Sequence, residues 1–417
     1  MKEAQTSPGD FTIADPAVQE CPYDYYRALH ESEPVHYDPN TDLWMIASYE
    51  LAVEALSNWK VFSSAIDMRR DVGGPDTSAS DALFEKEGYV VRDVLSQVDP
   101  PRHTIFRKLV DRTFTGPVVR RMEDYLTRHT EQLIDGFIDR GRCDFFNEFA
   151  VPLPLGVIAD QLGVPQQDMP RFKTWSDAFI ETLGIMLSPE RKLECTRLII
   201  EYQHYFVERM EEKRSRPEDD ILSGLVAARH DDGSELSTEE LLALVQQLLV
   251  AGNETTRNHL AKSVLLLIEN PDQQEVLRED LSLVPNFVEE SLRLESPVQG
   301  LFRVTTEDTT LGGYDIPKGA KIYLAYGAAN RDDRKFPQAD TLDVRRRNAI
   351  RHLAFSHGIH RCIGQMLARK ELEIAIRAIL TRMTDIALDD ARPHPAHAPS
   401  FILRGQTSLH ITFNKAA

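Results

Sequence analysis

The sequence predicts a mainly α-helical chain with small β-sheets. Three observations carry that prediction. Strand-like stretches are few and short. One central segment has the length, capping signals and apolar content of a long buried helix. No internal repeat or low-complexity tract interrupts the 417 residues.

The strand-like stretches read as three hairpins. Val35–Ser48 (VHYDPNTDLWMIAS) places Pro39-Asn40 in its turn. Thr310–Tyr326 carries Gly312-Gly313 and Pro317-Lys318-Gly319 as breakers. Ser400–Phe413 (SFILRGQTSLHITF) reads as the third. Ile66–Pro101 and Phe336–Arg351 look irregular, and loops that long in a compact domain are usually functional or mobile. SRPEDD and HDDGSELS flank a short helix.

The long helix starts at a capping box, Ser237 with Glu240. Asn270-Pro271 ends it. About 30 residues at ~1.5 Å rise give roughly 45–50 Å, enough to cross a domain. Apolar residues lie on most of its faces, so it is expected to be central and buried. Its middle is anomalous: AGNETT, Ala251–Thr256, puts Gly252 and the polar Glu254, Thr255 and Thr256 there. Glycine costs up to about 1 kcal/mol in a helix interior, and a buried acid is costly unless partnered. A distortion at a cavity is the functional reading. Gly252 would leave room for a ligand, while Glu254 and Thr255 would handle protons. A kinked helix with Glu254 in a salt bridge is the structural alternative. Further on, Glu290 and Arg293 stand at i and i+3 and share a helix face.

Phe355–Gly364 (FSHGIHRCIG) poses the main chemical question. Cys362 lies among glycines, directly ahead of a helix striped by Leu372, Ala375, Ile376, Ile379 and Met383. Free amides and the macrodipole at that helix start favour a thiolate. Gly358 and Gly364 permit backbone shapes or close approach that side chains would block. Zinc would need more soft ligands than His360-x-Cys362 offers. An iron–sulfur cluster would need several cysteines. A cysteine nucleophile with His357 or His360 as base stays open, and so does a single axial thiolate to haem iron, which needs only one cysteine.

Composition bounds the rest. Hydrophobic content of 42%, charged content of 27% and a net charge of −18 fit a globular protein and argue against nucleic-acid binding or anionic-membrane adhesion. No apolar run approaches the ~20 residues of a membrane span. The N-terminus lacks the pattern of a secretory signal. The four cysteines, Cys21, Cys143, Cys195 and Cys362, contain no CxxC pair, so a reducing cytoplasm is the expected location.

Taken together, these motifs resemble the cytochrome P450 family. Phe355, Gly358, His360, Cys362 and Gly364 match its haem-loop pattern F-x-x-G-x-[HR]-x-C-x-G. Ala251-Gly252-x-Glu254-Thr255-Thr256 is similar to the oxygen-activating stretch of the family's I helix. Glu290-x-x-Arg293 matches the K-helix pair, and His103 with Arg107 the C-helix pair H-x-x-x-R. Phe302-Arg303 is also similar. The matches fall in family order across essentially the whole chain.

The resemblance implies a single haem domain, residues 1–417, of the triangular P450 fold, with the I helix over haem b and no fused reductase. Cys362 would be the axial iron ligand. His103, Arg107, Arg303 and His360 would bind the haem propionates, because buried carboxylates need charged partners. Phe355 would pack near the sulfur, and it and Gly364 would be cofactor-binding residues of the loop. Glu290 and Arg293 would join an arginine of the 343–347 region, Arg345 or Arg347 being favoured. Glu254 and Thr255 would deliver protons for dioxygen activation.

The implied activity is monooxygenation, insertion of one oxygen atom of O2 into a lipophilic small molecule. Electrons would come from a ferredoxin and its NAD(P)H-dependent reductase, docking on Arg102, Lys108, Arg112, Arg351 and Arg361. The pocket would be lined by Gln247, Val250, Ala251, Val298, Leu301, Ile402 and the Ile66–Val98 loop. A monomer is expected. A haem-thiolate peroxygenase and a non-catalytic haem-binding protein are the alternatives, and a cysteine hydrolase would be colourless.

Overall fold

Val35–Asp38 and Leu43–Ile46 pair antiparallel with Val35 opposite Ile46, as the first hairpin reading expects. They form the edge of a five-stranded sheet that continues through Lys321–Leu324, Leu301–Thr305 and Phe62–Ser63. Residues 7–66, 77–90, 93–183 and 187–416 are described by this computed structural model. The chain divides into two compact units, one of Met1–Ile66, Glu123–Pro152 and Thr255–Ala417, the other of Asp67–Met122 and Leu153–Glu254.

Among the described residues, the first unit holds all the sheets. Alternating apolar residues drive them inward: Val35, Ile46, Ile322 and Leu324 pack with Leu56, Phe62, Phe336 and Leu353. The second expected hairpin is real but short. Thr309–Leu311 pairs with Tyr314–Ile316 across Gly312-Gly313, both at positive φ, as a tight two-residue turn requires. Lys321–Leu324 leaves that hairpin and pairs with Leu301–Thr305 instead. The third hairpin does not form. His410–Lys415 is a strand, but it lies between Arg142–Asp144 and Met383–Leu388. Residues 397–406 make only isolated bridges, Val298 to Leu403 and His397 to Gln406. Non-local partners, which no local pattern specifies, decide that pairing.

The second unit is helical. Pro189–Ser215 starts at Ser188, whose side chain accepts from the Arg191 amide, with proline in the first turn. It packs on Met169–Leu183 through aromatic rings, Phe179 to Tyr202 at 5.0 Å and Phe172 to Phe206 at 6.3 Å between centroids. Ser78–Glu87 is a helix within the stretch read as irregular. Its Ser80 hydroxyl meets Thr196 on Pro189–Ser215 at 3.0 Å, so tertiary contact overrides the polar composition. Residues 67–76 and 91–92 of that stretch lie outside the described residues. The short helix between the two acidic segments is Ile221–Ala227.

The long helix runs over Thr238–Glu269. The capping box is present: the Glu240 amide donates to Ser237 Oγ at 3.2 Å, and the Ser237 amide to Glu240 Oε2 at 2.9 Å. Asn270-Pro271 closes it as expected. The helix is continuous through AGNETT, without a break. Among the described residues, no helix is long and apolar enough to cross a membrane.

Candidate active site

Cys362 is partly covered and stands three residues ahead of the helix Gln365–Arg382. Its amide donates to the Phe355 carbonyl at 2.8 Å, closing the segment into a loop. Gly358 shapes that loop. Its φ is +68°, and a Cβ there would collide with the Leu56 carbonyl oxygen, so only glycine fits. Gly364 is different: at φ −80° none of the described residues lies within 4 Å of a Cβ. None of the four cysteines is in a disulfide. Burial pushes the Cys143 and Cys195 thiols up, away from reactivity.

Glu290 and Arg293 are both fully buried, not exposed. Arg293 donates to Glu290 at 2.7 Å from Nε and 2.8 Å from Nη2, and to the Asn330 and Ala339 carbonyls from Nη1. The third member is Arg346, whose Nε reaches Glu290 Oε1 at 2.8 Å. This corrects the choice of Arg345 or Arg347. Both of those are exposed, because residues 342–347 alternate in and out, with Leu342, Val344 and Arg346 inward. That two-residue period is the available signal.

The long helix corrects a second expectation. The room at Gly252 is taken by protein: a Cβ there would lie 2.9 Å from Ile158 Cδ1. Asn253 is held by Ser176 Oγ at 2.7 Å. Glu254 and Thr256 are buried, whereas Gln247, Ala251 and Thr255, at i, i+4 and i+8, form a less covered stripe, and Val250 is half-buried. Sequence spacing alone places those three on one face.

Arg303 is 5% exposed. Its Nη1 donates to the Phe302 carbonyl at 2.6 Å, and it pairs with no carboxylate among the described residues. His360 closes a short turn over Gly358–His360. His103 and Arg107 lie on the helix Arg102–Asp111. His103 is buried, and burial, aided by Arg107, pushes its imidazole below the ordinary range. Arg107 pairs with Asp111 at 2.9 Å. Val298 and Ile402 come together where the Gln299 amide donates to the Ile402 carbonyl at 2.7 Å, while Leu301 pairs with Leu324 in the sheet.

The helix after Cys362 carries an unexpected acid. Glu371 is buried, its Oε2 has no hydrogen-bond partner among the described residues, and burial raises its carboxyl to about 8. A group raised on folding gives stability that is complete below its ordinary value, about 4.5, and lost as pH rises through about 8. The slope approaches about 1.4 kcal/mol per pH unit inside that window. Glu371→Gln should flatten it, so that urea denaturation at the alkaline end shows the variant more stable than the parent. An unchanged slope would mean the carboxyl is ionised in the folded chain.

A cytochrome P450 family model matches residues 171–411. The chain is 37% identical over 404 residues to cytochrome P450 monooxygenase PikC of Streptomyces venezuelae, covering 94% of this chain and 91% of that protein. It is 34% identical over 400 residues to the vitamin D(3) 25-hydroxylase of Pseudonocardia autotrophica, covering 94% and 93%. Among solved structures, CYP109E1 from Bacillus megaterium in complex with testosterone superposes with a TM-score of 0.82 at 30% identity, over 94% of this chain and 99% of that one. Motif order, fold and relatives agree: the chain belongs to the cytochrome P450 family, as an oxidoreductase of its monooxygenase class that uses haem b and dioxygen.

Proposed function

We propose that residues 1–417 act as one haem domain in which Cys362 supplies the axial thiolate. The observation that carries this is the Phe355–Gly364 loop, which presents one sulfur ahead of a helix start and can be built only with glycine at 358. The other residues suit the group. Arg303, a buried guanidinium with no carboxylate partner among the described residues, has the charge a haem propionate needs. Gly364 leaves open the room a Cβ would fill. His103, Arg107 and His360 would complete the propionate set. Phe355 would keep water from the sulfur, and Glu290 with Arg293 would brace the loop.

Bound haem activates dioxygen, and thiolate ligation favours O–O cleavage. The protein rations protons. Thr255 Oγ1 would hold a water and pass its proton inward, and the Glu254 carboxylate would replenish it from solvent. Thr255→Ala should therefore leave cofactor oxidation running while product per electron pair falls sharply. Unchanged coupling would remove Thr255 from this role.

The substrate would be a lipophilic small molecule undergoing hydroxylation. Val250, Ala251, Val298, Leu301 and Ile402 are apolar, and Gln247 on the less covered stripe offers one hydrogen-bonding group. The named actions of relatives, on vitamin D3 and with bound testosterone, are in keeping with a bulky apolar molecule. Electrons would come from a separate ferredoxin and its reductase. Arg351 and Arg361 are exposed for docking, while Lys108 is paired with Asp231 at 2.8 Å. We place the chain in the cytoplasm as a monomer.

A screen of terpenoids, steroids, macrolides and aromatics for a shift of the ferric Soret band tests the substrate class. Response confined to small polar compounds would contradict it. Turnover with hydrogen peroxide far above turnover with a ferredoxin system would assign a peroxygenase instead.

A further inference from the structure

Phe355 is touched on its ring by two groups that share one carboxylate. The Arg369 guanidinium carbon stands 4.5 Å from the ring centroid. The His352 ring lies 5.4 Å from it, tilted by 46°. Both bind Glu289, on the helix Val284–Leu294. Arg369 is bidentate, Nε to Oε1 at 2.5 Å and Nη2 to Oε2 at 3.0 Å. His352 Nε2 is 3.1 Å from the same Oε2.

The histidine tautomer follows from its neighbours. The Ala354 amide donates to His352 Nδ1 at 3.0 Å, so that nitrogen carries no proton. Nε2 must then be the donor to Glu289. Burial pushes the imidazole below its ordinary range, which keeps the ring neutral. Burial works against the Glu289 carboxylate, yet the hydrogen bonds from His352 and Arg369 outweigh it and hold the group at about 2. The cluster is therefore one anion, one cation and one neutral ring, all oriented.

Adjacent acids on one helix thus serve different segments. Glu290 holds the segment that carries Arg346, and Glu289 holds the two groups that grip Phe355. The Phe355 carbonyl in turn receives the Cys362 amide. We propose that Glu289 is a positioning residue for the Cys362 sulfur, acting through Arg369 and His352 to fix Phe355 and with it the loop. This rests on the assignment of Cys362 as haem ligand. Without the carboxylate, a half-buried guanidinium and a buried imidazole N–H lose their acceptor. Both then turn elsewhere, the ring loosens, and the sulfur is less firmly held.

The test uses the haem-loaded, reduced, carbonyl-bound chain and follows conversion of its thiolate-type Soret band to the thiol type. Far-UV circular dichroism is recorded in parallel under conditions where the fold is intact. Glu289→Gln should speed conversion by roughly tenfold or more, the usual weight of a group that orients a metal ligand. Glu289→Asp should recover part of the loss. His352→Phe, which keeps the Glu289–Arg369 pair and refills the ring volume, should move the rate in the same direction by less, and it serves if Glu289→Gln fails to fold. Conversion at the parent rate in folded variants overturns the proposal. A parent chain with no thiolate-type band, or one whose band survives Cys362→Ser, overturns the ligand assignment and this inference with it. A Cys362-dependent band that is indifferent to Glu289 overturns the inference alone.

Discussion

Cys362→Ser should reduce oxygenase turnover to the background of unbound haem while leaving the fold intact. The sulfur is only partly covered, so its loss opens no core cavity. The backbone bond from residue 362 to the Phe355 carbonyl, and the glycine at 358, do not depend on the side chain. What changes is the donor. A hydroxyl does not ionise at neutral pH, whereas a thiol at a helix start is poised to do so. Product formation from a responsive substrate, read beside far-UV circular dichroism, checks this. Retained turnover in the serine variant would remove Cys362 from the chemistry.

Arg293→Ala should cost the most stability. Arg293 and Glu290 are both inaccessible to solvent, and breaking such a pair from one side costs about 3–5 kcal/mol. The damage spreads beyond the pair. The Asn330 and Ala339 carbonyls lose their donor, and Glu290 keeps only Arg346 and the Asp343 amide. These bonds fix residues 330–346, a stretch of turns with little regular structure to hold it otherwise. Arg293→Lys should rescue little, because an ammonium cannot span a bidentate carboxylate and two carbonyls at once. Urea denaturation of both variants is the check. A lysine variant within about 0.5 kcal/mol of the parent would show that charge, not the guanidinium fork, is what the site uses.

Local signals in the sequence suffice where one segment determines its own structure. The Ser237–Glu240 cap, the Asn270-Pro271 stop, the Val35–Ile46 hairpin and the stripe of Leu372, Ala375, Ile376 and Ile379 after Cys362 all follow from short-range chemistry, whereas Met383, expected on that stripe, starts a strand instead. Local readings fail where a distant partner decides. Ser400–Phe413 resembles a hairpin, yet its strand finds Met383–Leu388 and Arg142–Asp144. Gly252 reads as room for a ligand until Ile158 fills it. Three arginines run together beside Glu290, and only the burial alternation singles out Arg346 from its two neighbours. Glu289, His352 and Arg369 give no motif of their own. Their connection exists only once the helix Val284–Leu294 and the loop meet.

The cysteine loop was legible because its glycine has no substitute. Of the residues proposed for the pocket, those on the long helix are legible only as a helical face, since i, i+4 spacing orders Gln247 and Ala251 but says nothing of what they meet.

The most direct measurement is the absorption spectrum of the haem-loaded chain, reduced and exposed to carbon monoxide. The strongly red-shifted Soret band of a thiolate-ligated carbonyl should appear in the parent and vanish in Cys362→Ser. A parent chain showing only the band of a neutral ligand, or a serine variant that keeps the red-shifted one, would contradict the assignment of this sulfur.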